Sequence, residues 1–255
     1  MDRNAGYMLN GNLENYKILG AKETPEIKVE LVENYIAQGI DRCCGDWGVG
    51  RNHYAGCGDW QCVLQRYHAI MNNGTCAMVH PSSTAVPLLE MNAQVELTSK
   101  RRKRMAPMSE FYVLPEKSVI NETIVAPGEL ITNIFVPVPE PETRSAYQKY
   151  GEKESFDWPV ADAGVVLVMD GTRCRKAAIV LGVAAPTPIR SAAAEAVLIG
   201  KTIDEATARE AGKAAMQNAT SLSQNGYKVQ LFQTAIYRTI LLAAGQRQRD
   251  PSSVG

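Results

Sequence analysis

Five of the six cysteines fall within one short stretch: Cys43, Cys44, Cys57, Cys62 and Cys76. Thiolates are soft ligands, and four of them suit zinc or an iron–sulfur cluster. The opening MDRNAGYMLNGNLENYK has no secretory h-region. A cysteine cluster in that context points to metal ligation or redox chemistry rather than to a disulfide framework. The spacing is not that of a ready-made module, since four residues separate Cys57 from Cys62, thirteen separate Cys62 from Cys76, and no CxxC pair occurs. Buried thiols acting as small hydrophobes are the alternative, and spacing alone leaves both readings open. Cys174, in the apolar run CRKAAIVLG, reads as a core residue. The three histidines, His53, His68 and His80, lie in the same half of the chain as the cluster. His80-Pro81-Ser82-Ser83-Thr84 opens a helix with several hydroxyls and unpaired backbone N–H groups, a local arrangement suited to an anion or phosphate. Ordinary N-capping by Ser82 or Ser83 would use the same residues. No P-loop, HExxH, nucleophile elbow or Rossmann glycine fingerprint is present.

The elements that must position these groups belong to a 255-residue chain with 27 basic and 27 acidic side chains and zero formal net charge. Its 45% hydrophobic and 21% charged content is that of a globular protein. A general nucleic-acid binder would need a basic surplus. No apolar run approaches the length that spans a bilayer. A cytoplasmic enzyme, an enzyme subunit or a binding protein remains.

Residues 1–40 are a polar segment in which 28–40 has helical periodicity. Residues 41–62 form a loop rich in glycine and cysteine. A short helix is expected over 82–91, a strand over 93–98, and a solvated turn over the basic run 100–104. Pro127-Gly128 precedes a strand in GELITNIFVPVP, and the proline-rich stretch 137–144 divides the chain. Residues 41–140 thus form one unit, 141–245 a second, and 246–255 a tail. In the second unit, strands over 145–150 and 160–169 precede a turn at Asp170-Gly171, and CRKAAIVLG returns as the partner strand. Three helices follow, over 191–198, then from a capping box at Thr202–Glu205 to about Asn218, then over 227–244. The class is α+β, a small antiparallel sheet covered on one side by helices.

Several segments in order resemble the FAD-binding (medium) subunit of the molybdenum hydroxylases, the family of xanthine dehydrogenase, carbon monoxide dehydrogenase and 4-hydroxybenzoyl-CoA reductase. They are YHAIMNNGTCAMVHPSSTAVPLLEMNAQVEL, EFYVLPE, PGELITNIFVPVP, SAYQKYGEKESFDWPVADAGVVL, AIVLGVAAPTPIRSAAAEAVLIGK and NGYKVQL, spanning residues 67–244. The resemblance implies a partial FAD-binding lobe followed by a domain like the CO dehydrogenase flavoprotein C-terminal domain. Relatives have an H-P-S-D helix start near the ribose and pyrophosphate, matched here by His80, Pro81 and Ser82 and continued by Ser83 and Thr84. Ser83 replaces the family's aspartate, an acidic partner for a ribose hydroxyl, and the family's proline at 86 stands one residue later as Pro87. Ile131 matches an apolar residue beside the flavin ring, and Lys149 matches a lysine near it. One branch carries an insertion whose four cysteines hold a 4Fe–4S cluster, and Cys43, Cys57, Cys62 and Cys76 follow that order.

The same resemblance implies an electron-transfer oxidoreductase subunit, inactive alone. Its partners would be a large subunit with the molybdenum cofactor and a 2Fe–2S small subunit. Relatives begin with a complete first FAD lobe containing an A-G-G-T-D-like pyrophosphate loop and then a T-x-G-G-N segment. Residues 19–24 (LGAKET) and 45–52 (GDWGVGRN) only faintly echo these, so the chain is expected to be the family with most of its first lobe removed. Two further readings follow: a docking subunit without FAD, or a small iron–sulfur or zinc protein on the same scaffold.

Overall fold

The computed structural model describes residues 65–118, 121–151 and 159–246. Cys43, Cys57, Cys62, the helix expected over 28–40 and the loop at 41–62 lie outside them. A 3-10 turn, Gln65–Tyr67, leads to α1 (Ala85–Glu90), then β1 (Gln94–Thr98), β2 (Lys103–Pro107), the single turn α2 (Met108–Phe111) and β3 (Leu130–Phe135). β4 (Thr143–Tyr150), β5 (Ala161–Asp170), β6 (Arg173–Gly182) and the short β7 (Ile189–Arg190) follow, and α3 (Ala192–Leu198), α4 (Glu205–Ala215) and α5 (Tyr227–Ala243) complete the order.

The strands make two antiparallel sheets, β2-β1-β3 and β4-β5-β6-β7. Strict alternation sorts the second sheet's residues between its faces. Ala161, Ala163, Val165, Leu167 and Met169 of β5 join Ile179 and Leu181 of β6 in the main core, together with Phe232, Ile236 and Ile240 of α5. α3 and α5 lie on this face, and α4 packs across both. The expected layer of sheet and helices is therefore present. The opposite face is partly covered too: α1 packs on β5 and β6, and Val180 shares a second core with Val86, Leu89, Val95 and Leu97.

Three local expectations shift by a few residues for identifiable reasons. A bulge between Val168 and Met169 moves the β5–β6 register, so Asp170 stays in the ladder opposite Arg173 and the loop is Gly171-Thr172, with Gly171 at φ 58°. Asp204 rather than Thr202 caps α4, accepting from the Thr207 N–H at 2.7 Å, because Thr202 bridges to Arg173. In the basic run, Lys103 and Arg104 belong to β2. Arg104 forks onto Glu129 (2.9 and 2.7 Å) and also donates to the Ile124 carbonyl, fastening the loop that enters β3.

Residues 66–73 run as a strap over the second sheet's domain. The Ile70 N–H donates to the Ala184 carbonyl (2.9 Å) and the Thr220 N–H to the Ile70 carbonyl (2.7 Å). The Lys228 ammonium, fully buried on α5, donates to the carbonyls of Tyr67, His68 and Val183 at 3.1, 3.1 and 2.8 Å.

Two close approaches yield tests. A Cβ on Gly212 of α4 would come within 2.7 Å of the Gln233 carbonyl on α5. Gly212→Ala gains helix propensity of roughly 1 kcal/mol, yet overpacking costs about 1–3 kcal/mol. Urea unfolding should show net destabilisation, and an unchanged or higher midpoint would contradict the close crossing. At the seam, the Glu90 carboxyl lies over Gly164, where a Cβ would sit 1.9 Å from its Oε2. Glu90 is 2% exposed, and burial pushes its carboxyl up to about 8 from 4.5. The folded state thus holds a proton that the unfolded chain releases, and this group's stabilising contribution is lost as pH rises from about 4.5 through about 8. Glu90→Gln, which cannot ionise, should be more stable than the parent at pH 8.5 by about 4–5 kcal/mol, with the difference vanishing near pH 4.5. A pH-independent difference in denaturant midpoints would refute this.

Candidate functional site

The His80–Thr84 turn sits where the two sheets meet. The His80 N–H donates to the Ala185 carbonyl (3.0 Å), pinning the turn to the corner after β6. The imidazole packs edge-on against Tyr112, with ring centroids 4.5 Å apart, and its Nδ1 accepts from the Ser82 N–H at 3.4 Å. Pro81 stiffens the entry to α1. Thr84 occupies the cap position without a side-chain cap bond, while Ser82 Oγ accepts from the Ala85 N–H at 3.3 Å. Ser82 thus does the capping work.

Ser83 faces the sheet. The Tyr147 phenol lies near its hydroxyl and donates to Asp162 Oδ2 at 2.7 Å. Tyr147 and Lys149 of β4 pair with Gly164 and Asp162 of β5, so all four share the face that α1 covers. Asp162 is 1% exposed, and burial raises its carboxyl to about 6, against the pull of Tyr147 and the charges of Lys149 and Lys228. Burial and the Asp162 charge push the Tyr147 phenol up. Gly182, opposite Asp162, makes room for the carboxylate, since a Cβ there would lie 2.2 Å from Oδ1. Asp162 Oδ1 and Glu90 Oε2 have no hydrogen-bond partner among the described residues.

The structure therefore places His80, Ser82 and Ser83 on one turn, and Lys149 on β4 with its charge acting on Asp162. Ile131 lies apart from these residues, on β3 opposite Leu97, and is half-exposed like Ile134 and Phe135, with Leu130 more exposed still. Every residue of β3 is exposed. Cys76 is fully buried and its Sγ accepts from the Met78 N–H at 3.4 Å. Among the described residues no group of three or more His, Cys, Asp and Glu could hold a metal. Tyr147, Asp162 and Glu90 escaped the sequence reading, although an aspartate inside the apolar run VADAGVVL signals a carboxylate that burial must accommodate. A separate cleft of about 300 Å³ lies between the end of α1, residues 137–140 and the sheet. Its cations are engaged, Lys176 with Glu140 and Arg190 with Glu195. No helix among the described residues is long and apolar enough to cross a membrane.

These arrangements can be set beside known proteins. Residues 9–139 match the FAD binding domain in molybdopterin dehydrogenase, and residues 114–243 match the CO dehydrogenase flavoprotein C-terminal domain. The first match extends the likeness, read above from residue 67, towards the N-terminus. The carbon monoxide dehydrogenase medium chain of Afipia carboxidovorans is 33% identical over 133 residues, 52% of this chain and 44% of that protein. The aldehyde oxidoreductase FAD-binding subunit PaoB of Escherichia coli is 30% identical over 137 residues, 53% of this chain and 42% of its own length. The chain thus spans about half the length of these relatives. Among solved structures, carbon monoxide dehydrogenase from Hydrogenophaga pseudoflava superposes with a TM-score of 0.57 at 25% identity, covering 65% of this chain and 56% of that one. With the FAD-binding model matching half of its length and the flavoprotein C-terminal model matching residues 114–243, the chain belongs to the family of FAD-binding flavoprotein subunits of the molybdenum hydroxylases.

Proposed function

We propose that this chain binds FAD and relays electrons within a multisubunit oxidoreductase. Its partners would be a large subunit carrying the molybdenum cofactor and a small subunit carrying 2Fe–2S centres, in the cytoplasm. The observation that carries the reading is the seam itself. A polar turn of the FAD-binding lobe is fastened to the corner after β6 by the His80 N–H, with the Tyr147 phenol and the buried Asp162 carboxylate that it donates to close by. His80, Pro81, Ser82, Ser83 and Thr84 would hold the ribose and pyrophosphate portion of FAD. Ile131 would supply an apolar surface for the ring, and Lys149 a positive charge near it. FAD, when bound, supplies reversible electron acceptance, while the protein supplies binding, orientation and electrostatics.

Cys43, Cys57, Cys62 and Cys76 are proposed to ligate a 4Fe–4S cluster. The N–H···S bond from Met78 to Cys76 is of the kind that tunes cluster thiolates. A docking subunit without FAD is the second reading, and the exposed apolar strand β3 favours an uncovered contact surface.

The visible spectrum of the purified chain, followed by FAD titration, separates these readings. The expected outcome is a flavin spectrum, or its acquisition on adding FAD, with an additional dithionite-bleachable shoulder from the cluster. A colourless protein that leaves FAD fluorescence unquenched would overturn the flavin assignment in favour of docking. A flavin spectrum without iron or the shoulder would remove the cluster alone.

A further inference from the structure

The cleft of about 300 Å³ beside α1 has a floor made by one face of the second sheet. Thr143 and Ser145 of β4, Val166 and Val168 of β5, and Lys176 and Ala178 of β6 line it. They are cross-strand partners, Ser145 with Val166 with Ala178 and Thr143 with Val168 with Lys176, so they share that face. Gly164 is the next residue of β5 on the same face, and the Glu90 carboxyl lies over it. Glu90 therefore sits at the inner end of the cleft, whose wall it helps to form.

Charge in the cleft is balanced except at this group. Lys176 is paired with Glu140, and Arg190 with Glu195 at 2.6 Å. Glu90, 2% exposed, has an Oε2 without a hydrogen-bond partner among the described residues. Burial alone moves its carboxyl, so no positive charge lies close enough to offset the desolvation. Asp162 differs, since the charges of Lys149 and Lys228 act on it. A buried carboxyl without a counter-charge lowers stability, and such groups recur where a site uses them.

We propose that this cleft binds a small organic cation, an amine or amidine with a short apolar body, whose charge pairs with Glu90 while the body lies on Val166, Val168 and Ala178. A metal ion is a poor occupant, because hard cations take several oxygen ligands and no group of three or more His, Cys, Asp and Glu gathers among the described residues. The site is separate from the His80 turn and does not rest on FAD binding.

Binding of a cation must expel a proton. The Glu90 carboxyl, pushed up to about 8, is protonated at neutral pH, and a positive charge beside it favours the ionised form, so the proton leaves to solvent. The titratable and charged groups around it are Tyr147 of β4, on whose phenol its charge acts, Asp162 of β5, Lys176 of β6, Arg190 of β7 and Glu140 of the connector. From α2 it meets the shared core of Met108 and Phe111, which do not titrate. Affinity therefore rises with pH as the ionised fraction grows, and levels off above about 8.

The test titrates the full-length chain by calorimetry with three probes of nearly one shape, the cation benzamidine, neutral benzamide and the anion benzoate. Benzamidine should bind tightest, and its affinity should rise by roughly ten- to a hundredfold between pH 6 and pH 8. In two buffers of different ionisation enthalpy at pH 7, its binding should release close to one proton. Glu90→Gln, which keeps the side chain's shape, should weaken benzamidine by at least about tenfold at pH 8 and abolish both the pH step and the proton release. Ser145→Phe, at the exposed rim of β4, should block the cleft while leaving the urea midpoint near the parent's. A chain that does not bind benzamidine at millimolar concentration would overturn the proposal. So would benzamide or benzoate binding as tightly as the cation, or benzamidine binding unchanged in Glu90→Gln.

Discussion

The Lys228 ammonium is the contact on which the arrangement of the two units depends. Burying a cation is costly unless every proton finds an acceptor. Here three N–H groups meet three backbone carbonyls, two from the strap and one from the corner after β6. Burial still draws the ammonium down to about 7, so the desolvation is only partly offset. One acceptor belongs to Val183, a β-branched residue at φ 51°, where backbone strain costs of order 1–3 kcal/mol. The strap, the strained corner and helix α5 therefore meet at one nitrogen atom. The adjoining Ala184 and Ala185 carbonyls hold the strap and the His80 turn.

Above that anchor, the seam between the sheets is polar where a simple core would be apolar. Two carboxyls, Glu90 and Asp162, are packed against glycines, and each keeps one oxygen without a hydrogen-bond partner among the described residues. Such groups lower stability, and they recur where a site must be poised rather than merely filled. Their positions divide the work. Glu90, at the end of α1, retains its proton at neutral pH, while Asp162 accepts from the Tyr147 phenol on the neighbouring strand.

The C-terminal unit was legible because its strands alternate and its helices carry apolar stripes, patterns that local sequence records directly. The His80–Thr84 turn was legible for the same reason, since hydroxyls before an apolar run announce a helix start. What stayed hidden depends on partners distant in sequence. Arg104 looks like a solvated charge until Glu129 is brought beside it. Asp162 looks like an interruption of a strand until Tyr147 and Gly182 surround it. The capping box at Thr202 was a sound local signal that lost to a backbone bridge with Arg173. Glycines 164 and 182 read as weak points of a strand in one dimension, and as receptacles for carboxylates in three.

The strap at 66–73 gives the chain an interlocked path. The backbone crosses the C-terminal domain at residues 66–73, leaves to build the β2-β1-β3 sheet, and returns through 137–144. A cut in that proline-rich connector would leave the strap still gripped by Lys228, Asn225 and Thr220, so the two pieces would remain one particle. In evolutionary terms, the C-terminal domain is not a cassette that recombination can move by its own contiguous segment. A transplanted copy would arrive without the strap, leaving a buried cation with two of its three acceptors missing.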